Sequence, residues 1–294
     1  MSVNFKNFYH AYILLLLLLI SACSSQPKKT GDIFDLRKRA EAQLDMGNKQ
    51  ADRGGLEIAL ILLDEAVRLA VAADDSGLRI RAKLSNSNVL FSLNRREEAE
   101  EGWNEALAEA ERVGNTEWAA MCRVYIARGK LLSDDGKTTA ASLRDELQQA
   151  VSQLKSDRFS IAFAWTVMGM AEKELGRYAE AEAAIRRSLE IHEKDLLFEL
   201  AAYDWYMIAS FRSLSGDYRG GLQALENAIT FDRRVENSWG LASDWRAMGD
   251  VHYKMGDFEA ARAAYIRAAE IFNALGNETA AEQALSRLQN LENH

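Results

Sequence analysis

The chain has 294 residues, 48% of them hydrophobic, enough for a large core or a long repeat array. Its formal net charge of −8 excludes nucleic acid as a partner, because phosphate demands a basic surface, and argues against lying flat on anionic lipid. A single proline, Pro27, leaves the remainder free to be helical, and that remainder is rich in the good helix formers Ala, Leu, Glu and Arg.

Residues 1–22 read as a signal peptide rather than as part of the fold. A short leader carries one base, Lys6, and Ile13 to Ile20 form an unbroken apolar run. That run is too short to span a bilayer of about 30 Å as a helix. Small residues Ser21 and Ala22 then precede Cys23. The segment Ile20-Ser21-Ala22-Cys23 resembles the bacterial lipobox, with Ile in place of the usual Leu at its first position. The resemblance implies cleavage before Cys23, lipidation of its thiol and stable anchoring by two or three acyl chains. Ser24 stands where an Asp would retain such a lipoprotein in the inner membrane, which implies the outer membrane, with the body facing the periplasm. Residues 23–32 are polar and read as a flexible tether. With Cys23 acylated, Cys122 has no partner for a disulfide and is expected to be a buried, inert thiol.

The body repeats. Trp165, Trp205 and Trp245 are 40 residues apart, followed in the same register by Gly176, Gly216 and Gly256, and by Tyr178, Tyr218 and Phe258. Ala181, Gly221 and Ala261 come next, then Ile185, Leu225 and Tyr265, then Ser188, Ala228 and Ala268. Stepping back once by 42 residues and then by 40 extends the pattern to the small residues Ala127, Ser87 and Gly47. The third unit is irregular, with a longer turn at residues 133–137 and a core line of Leu143, Leu147 and Ala150.

Trp165-x2-Met168-Gly169, Trp245-x2-Met248-Gly249 and the stretch Leu175 to Ala181 resemble the tetratricopeptide repeat. The missing proline at the end of the second helix and the period of 40 instead of 34 resemble its longer-helix variants. The resemblance implies an all-α, right-handed α-solenoid of about six helical hairpins. Their bounds are expected near 33–75, 76–114, 115–156, 157–195, 196–235 and 236–276, with a capping helix and tail over 277–294. Small residues at 169, 209 and 249 should let the two helices of a hairpin touch. The side chains at 185, 225 and 265 should fill the groove between units, since one hairpin cannot bury its stripe alone.

No catalytic constellation is present. The mature chain's histidines, His192, His252 and His294, show no ligand spacing, and no nucleophile elbow, phosphate loop or dinucleotide fingerprint occurs. Asp74-Asp75 and Asp134-Asp135 read as solvated turns rather than calcium sites. The expectation is therefore a non-enzyme with no cofactor and no metal.

The family's concave face is lined by the first helix of each hairpin. Carried over residue by residue, it comprises Asn48, Asn88, Arg128, Phe163, Met170, Tyr203, Tyr206, Ser210, Arg246, Asp250 and Tyr253. Leu44, Leu84, Val124 and Thr166 are expected beside them. Asparagine amides suit a peptide backbone, and clustered tyrosines suit protein recognition. The expected function is a protein-binding scaffold or adaptor for an envelope assembly, in pilus or secretion, cell-wall or transport machinery. A ligand-capturing component associated with a transporter is the alternative. The partners implied are an envelope protein or peptide and, through the lipid anchor, the membrane.

Overall fold

The computed structural model describes residues 31–133 and 136–292. The expected signal peptide, Cys23, the tether up to residue 30, Asp134-Asp135 and His294 lie outside the described residues.

Thirteen α-helices and no strands occur among the described residues. In chain order they are α1 (Gly31–Asp52), α2 (Leu56–Ala72), α3 (Ser76–Ser92), α4 (Arg96–Arg112), α5 (Thr116–Leu131) and α6 (Gly136–Gln153). There follow α7 (Arg158–Glu174), α8 (Tyr178–Lys194), α9 (Phe198–Ser215), α10 (Tyr218–Arg234), α11 (Ser238–Met255), α12 (Phe258–Ala274) and α13 (Glu278–Glu292). The chain divides into two compact units, with the boundary between Ala99 and Glu100 inside α4. In the first, α1 packs on α2 and α2 on α3; in the second, α5 to α13 each pack on the next helix in sequence. This is an all-α helical-repeat solenoid fold.

Local chemistry starts and stops the helices. Asp75, Asn115, Asn237 and Asp257 are N-caps whose side chains accept a hydrogen bond from an amide in the first turn. Each such cap stabilises its helix by about 1 kcal/mol. In ten of the links between helices the backbone turns left-handed at one residue. Those residues are Gly54, Asp74, Asn94 and Gly114, then Gly176, Leu196, Gly216, Glu236, Gly256 and Gly276. Within each group they are 20 residues apart, half the sequence repeat. Gly216, at φ 88°, closes α9 at no steric cost. Leu196 and Glu236 do the same without that freedom, at φ 59° and 56°.

The hairpins close through small–large pairs 16 residues apart. A Cβ added at Gly47 would lie 2.6 Å from Leu63, and one at Gly169 would lie 2.8 Å from Ile185. Gly249 is covered in the same way by the Tyr265 ring. Ile185 therefore seats first on the glycine of its own hairpin; it also joins the core of the next one, beside Ala201 and Ile208. The extra two residues of the third unit are not confined to one turn. α5 and α6, and then α6 and α7, are separated by four residues each, where the other loops between the second helix of one hairpin and the first of the next have three. The second of these links is held by Glu117 of α5, which accepts hydrogen bonds from the amides of Lys155 (2.8 Å) and Ser156 (2.7 Å).

Candidate partner-binding site

In the first unit Asn48 is exposed on α1. Asn88 on α3 is half-buried, with a side-chain oxygen that is buried and accepts no hydrogen bond. Leu44 and Leu84 lie in the core instead of beside them. The apolar side chains follow the tightly packed seam between helices, where burial is worth about 25 cal/mol per Å².

In the second unit Val124 and Thr166 are likewise buried, Thr166 donating to the Ala162 carbonyl. Phe163 stacks at a tilt on Tyr125, ring centroids 4.8 Å apart, and Met170 packs against the cores on either side of it. Arg128 lies near enough for its charge to act on the Tyr203 phenol. Ser210 is half-buried. Asp250 is occupied: it accepts from the Tyr265 hydroxyl at 2.8 Å and pairs with Arg287 of the terminal helix α13. Tyr253 leans on Phe258, with centroids 5.8 Å apart.

Three of the residues singled out in the sequence, Tyr203, Tyr206 and Arg246, converge on one cavity of about 380 Å³. Tyr203 and Tyr206 lie one turn apart on α9, their rings stacked at 6.5 Å, and Tyr203 is 47% exposed. Arg246 faces the cavity from α11, its guanidinium over the Phe272 ring. The remaining wall holds Glu199, Asp232, Asn237, Trp239 and Asp244, none of them foreseen. Trp239 is 52% exposed and sets its ring edge-on to Phe272 at 5.0 Å.

The acidic part of this wall is rigid. Asn237 caps α11 by accepting from the Gly240 amide at 3.0 Å, and donates its own amide to Asp232 at 3.0 Å. A Cβ at Gly240 would run into the Asp232 carboxylate and lie 2.5 Å from the Asn237 amide, so any other residue would displace them. Asp232 and Asp244 are both buried and lie close enough for each carboxyl to act on the other's proton. Burial, reinforced by the Asp232 charge, pushes Asp244 up to about 8; burial pushes Asp232 up to about 6 although Asn237 and Asp244 act to lower it. Asp244 keeps its Oδ2 without a hydrogen-bond partner.

A signal for this pair exists in the repeat. The register running Ala82, Cys122, Ala164, Asp204, Asp244 and Ala284 is buried throughout, and two of its members are carboxylates. Its counterpart on the second helices runs Ala70, Ala110, Ala150, His192, Asp232 and Phe272. A charge in a column of small apolar residues marks the place. Cys122 occupies that column as a plain core residue, its thiol pushed up to about 12 by burial. Asp75 caps α3 and pairs with Arg37 at 3.0 Å. His252 sits 3.6 Å from Asp257, at the turn into α12.

The tetratricopeptide repeat family model matches residues 164–195 and 247–275. Those two stretches, in the fourth and sixth hairpins, carry the tetratricopeptide pattern. No curated protein is similar to it in sequence at a significant level. Among solved structures this repeat chain is similar to a Rap protein complexed with competence and sporulation factor. The TM-score is 0.61 at 16% identity, over 87% of this chain and 75% of that one. It is similar to BtubC from P. vanneervenii, with TM-score 0.59 at 17% identity over 81% and 92% of the two chains. It is also similar to PilW, a type IV pilus biogenesis factor, with TM-score 0.56 at 15% identity over 84% and 98%. At such identities the likeness shows the fold, and the site must be argued from its own residues.

Proposed function

We propose that this chain is a lipid-anchored tetratricopeptide scaffold of the cell envelope, which binds a protein partner through the first-helix face of its fifth and sixth hairpins. The observation that carries the reading is the aromatic cavity between α9 and α11, where Tyr203 and Trp239 stand half open to solvent although each could have been buried. Exposed aromatics beside a cavity are the usual anchors of protein recognition. The lipobox-like segment ending at Cys23 supports attachment to a membrane, and Ser24 supports the outer one, facing the periplasm. Among the structures of similar fold, PilW serves the assembly of a pilus and Rap was captured with a bound factor, which agrees with a scaffold role.

The cavity itself favours one second reading, capture of a small ligand for a transporter, because about 380 Å³ is within the range of small-molecule sites. A photo-crosslinking residue placed at Tyr203 in the native envelope separates the two. A discrete protein adduct, lost in Tyr206→Ala, is the expected result. No adduct, or one indifferent to Tyr206, overturns the scaffold reading. Cys23→Ser should move the chain from the membrane to the soluble fraction; unchanged membrane association overturns the anchor.

A further inference from the structure

The cavity holds a feature that general protein binding does not require. Two buried carboxyl groups, Asp232 and Asp244, stand side by side in its wall, and Glu199 of α9 adds a third acidic group facing the same space. Replacing such a pair by small apolar residues would relieve the desolvation of both, as the corresponding alanines do in the earlier hairpins. Asp244 is 2% exposed, lines the cavity, and has an oxygen with no donor. Trp239, half exposed, lines the same cavity.

Resting on the scaffold reading above, we infer that this cavity receives an arginine side chain of the protein partner, its guanidinium bonded to the Asp232–Asp244 pair and flanked by Trp239. A guanidinium presents five donors in a planar fork, which suits two adjacent carboxylates, and its flat face stacks on indole. Burial in the cavity strengthens the attraction, and the missing donor for Asp244 Oδ2 is supplied. The protein's own Arg246 does not fill this role: it lies over Phe272 and makes no ion pair with either aspartate. No three His, Cys, Asp or Glu side chains gather as metal donors among the described residues.

The pair holds a proton at neutral pH, because burial favours the uncharged form. An incoming guanidinium replaces that proton, so binding strengthens as pH rises. The other groups facing the pair are Glu199, Tyr203 and Tyr206 on α9 and Arg246 on α11; no charged group from α12 or α13 lines the cavity.

The test titrates the full chain with the capped peptide Gly-Gly-Arg-Gly-Gly, following Trp239 fluorescence against a Trp239→Phe control, from pH 5.5 to 8.5. The expected result is saturable binding that tightens by about tenfold between pH 6 and pH 8. The citrulline peptide, equal in shape but neutral, should bind at least about tenfold more weakly. Asp244→Asn should bind the arginine peptide at least about tenfold more weakly than wild type, and should lose the pH dependence above about pH 7, keeping only the part that Asp232 contributes near pH 6. Equal binding of the two peptides, undiminished binding by Asp244→Asn, or a response to calcium chloride alone that blocks the peptide would overturn the proposal. Should the peptide fail while the Tyr203 crosslink persists, the scaffold reading stands and only the arginine pocket falls.

Discussion

His192 and Asp204 meet with Nδ1 and Oδ2 2.7 Å apart, both buried, on consecutive hairpins. Forty residues later the same two positions hold Asp232 and Asp244. One substitution in a repeated frame thus turns a complementary pair into two like groups. An imidazole N–H can donate to the Asp204 carboxylate, whereas two carboxyls must hold one proton or repel.

The pH dependence of stability follows from that difference. Both aspartates have folded-state values raised above the ordinary 3.8, to about 6 and about 8. The folded chain therefore binds more protons than the unfolded one across this interval, and stability falls as pH rises from about 4 to about 8. Asp244→Asn keeps the shape and removes the charge. Thermal melts at pH 5 and pH 8.5 should show wild type losing several degrees relative to the variant. A gap that is the same at both pH values would remove this account.

Gly169 tests the hairpin closure. Its helix approaches α8 so closely that a Cβ would meet Ile185 Cδ1 at 2.8 Å and the Ala181 carbonyl at 3.2 Å. Gly169→Leu should cost about 1–3 kcal/mol by overpacking. For a domain of this size that is roughly 2–4 °C per kcal/mol. Adding Ile185→Ala should recover part of the loss, since the two side chains compete for one space. An unchanged melting temperature in the single variant contradicts the contact.

Leu196 offers the opposite change. It turns left-handed at φ 59° in the loop that opens α9, with its side chain 68% exposed. A branched side chain there costs about 1–2 kcal/mol relative to the relaxed backbone, and solvent returns little for it. Leu196→Gly should raise stability by about 0.5–1 kcal/mol, after its greater unfolded-state entropy is set against the relief. A drop in denaturation midpoint would mean that Leu196 makes a packing contribution larger than its exposure suggests.

Why the hairpins were legible and the cavity only partly so has a physical answer. Trp165, Gly169, Ile185 and Gly176 report on packing between neighbouring helices, and that packing recurs every unit, so the sequence displays it several times over. Tyr203, Tyr206 and Arg246 were reachable because they occupy a fixed position on the first helix. Leu44 and Val124 hold the same repeat position as Tyr206 and Arg246 yet are buried. The position on the helix therefore does not decide groove or core by itself: a short apolar side chain there sinks into the seam, while a long polar or aromatic one reaches the cavity. Asp232, Trp239 and Asp244 break the repeat instead of obeying it, so a search for recurrence passes over them. Asp250 looked open in sequence because its partner, Arg287, comes from the capping helix and has no counterpart in the other units.

Glu117 shows how the frame absorbs its one irregularity, and it gives the last test. Its carboxylate bonds the Lys155 and Ser156 amides and the Ser156 hydroxyl, fastening the four-residue link between α6 and α7 that has no left-handed residue to turn it. These backbone hydrogen bonds, Ser156 first, hold Glu117 down to about 2. A carboxyl depressed in the folded state contributes stability that is full above about 4.5 and is lost as pH falls toward 2. Glu117→Gln keeps one acceptor but not the charge, and should cost about 1 kcal/mol at pH 7, where hydrogen bonds to a charged group are replaced by neutral ones. The cost should shrink to a small fraction of that at pH 2, where Glu117 is about half protonated in the folded chain and almost wholly so in the unfolded one. Melting both proteins at pH 7 and in acid decides it: a deficit that persists undiminished at low pH would show that Glu117 acts through its shape, and that the link is held by something other than its charge.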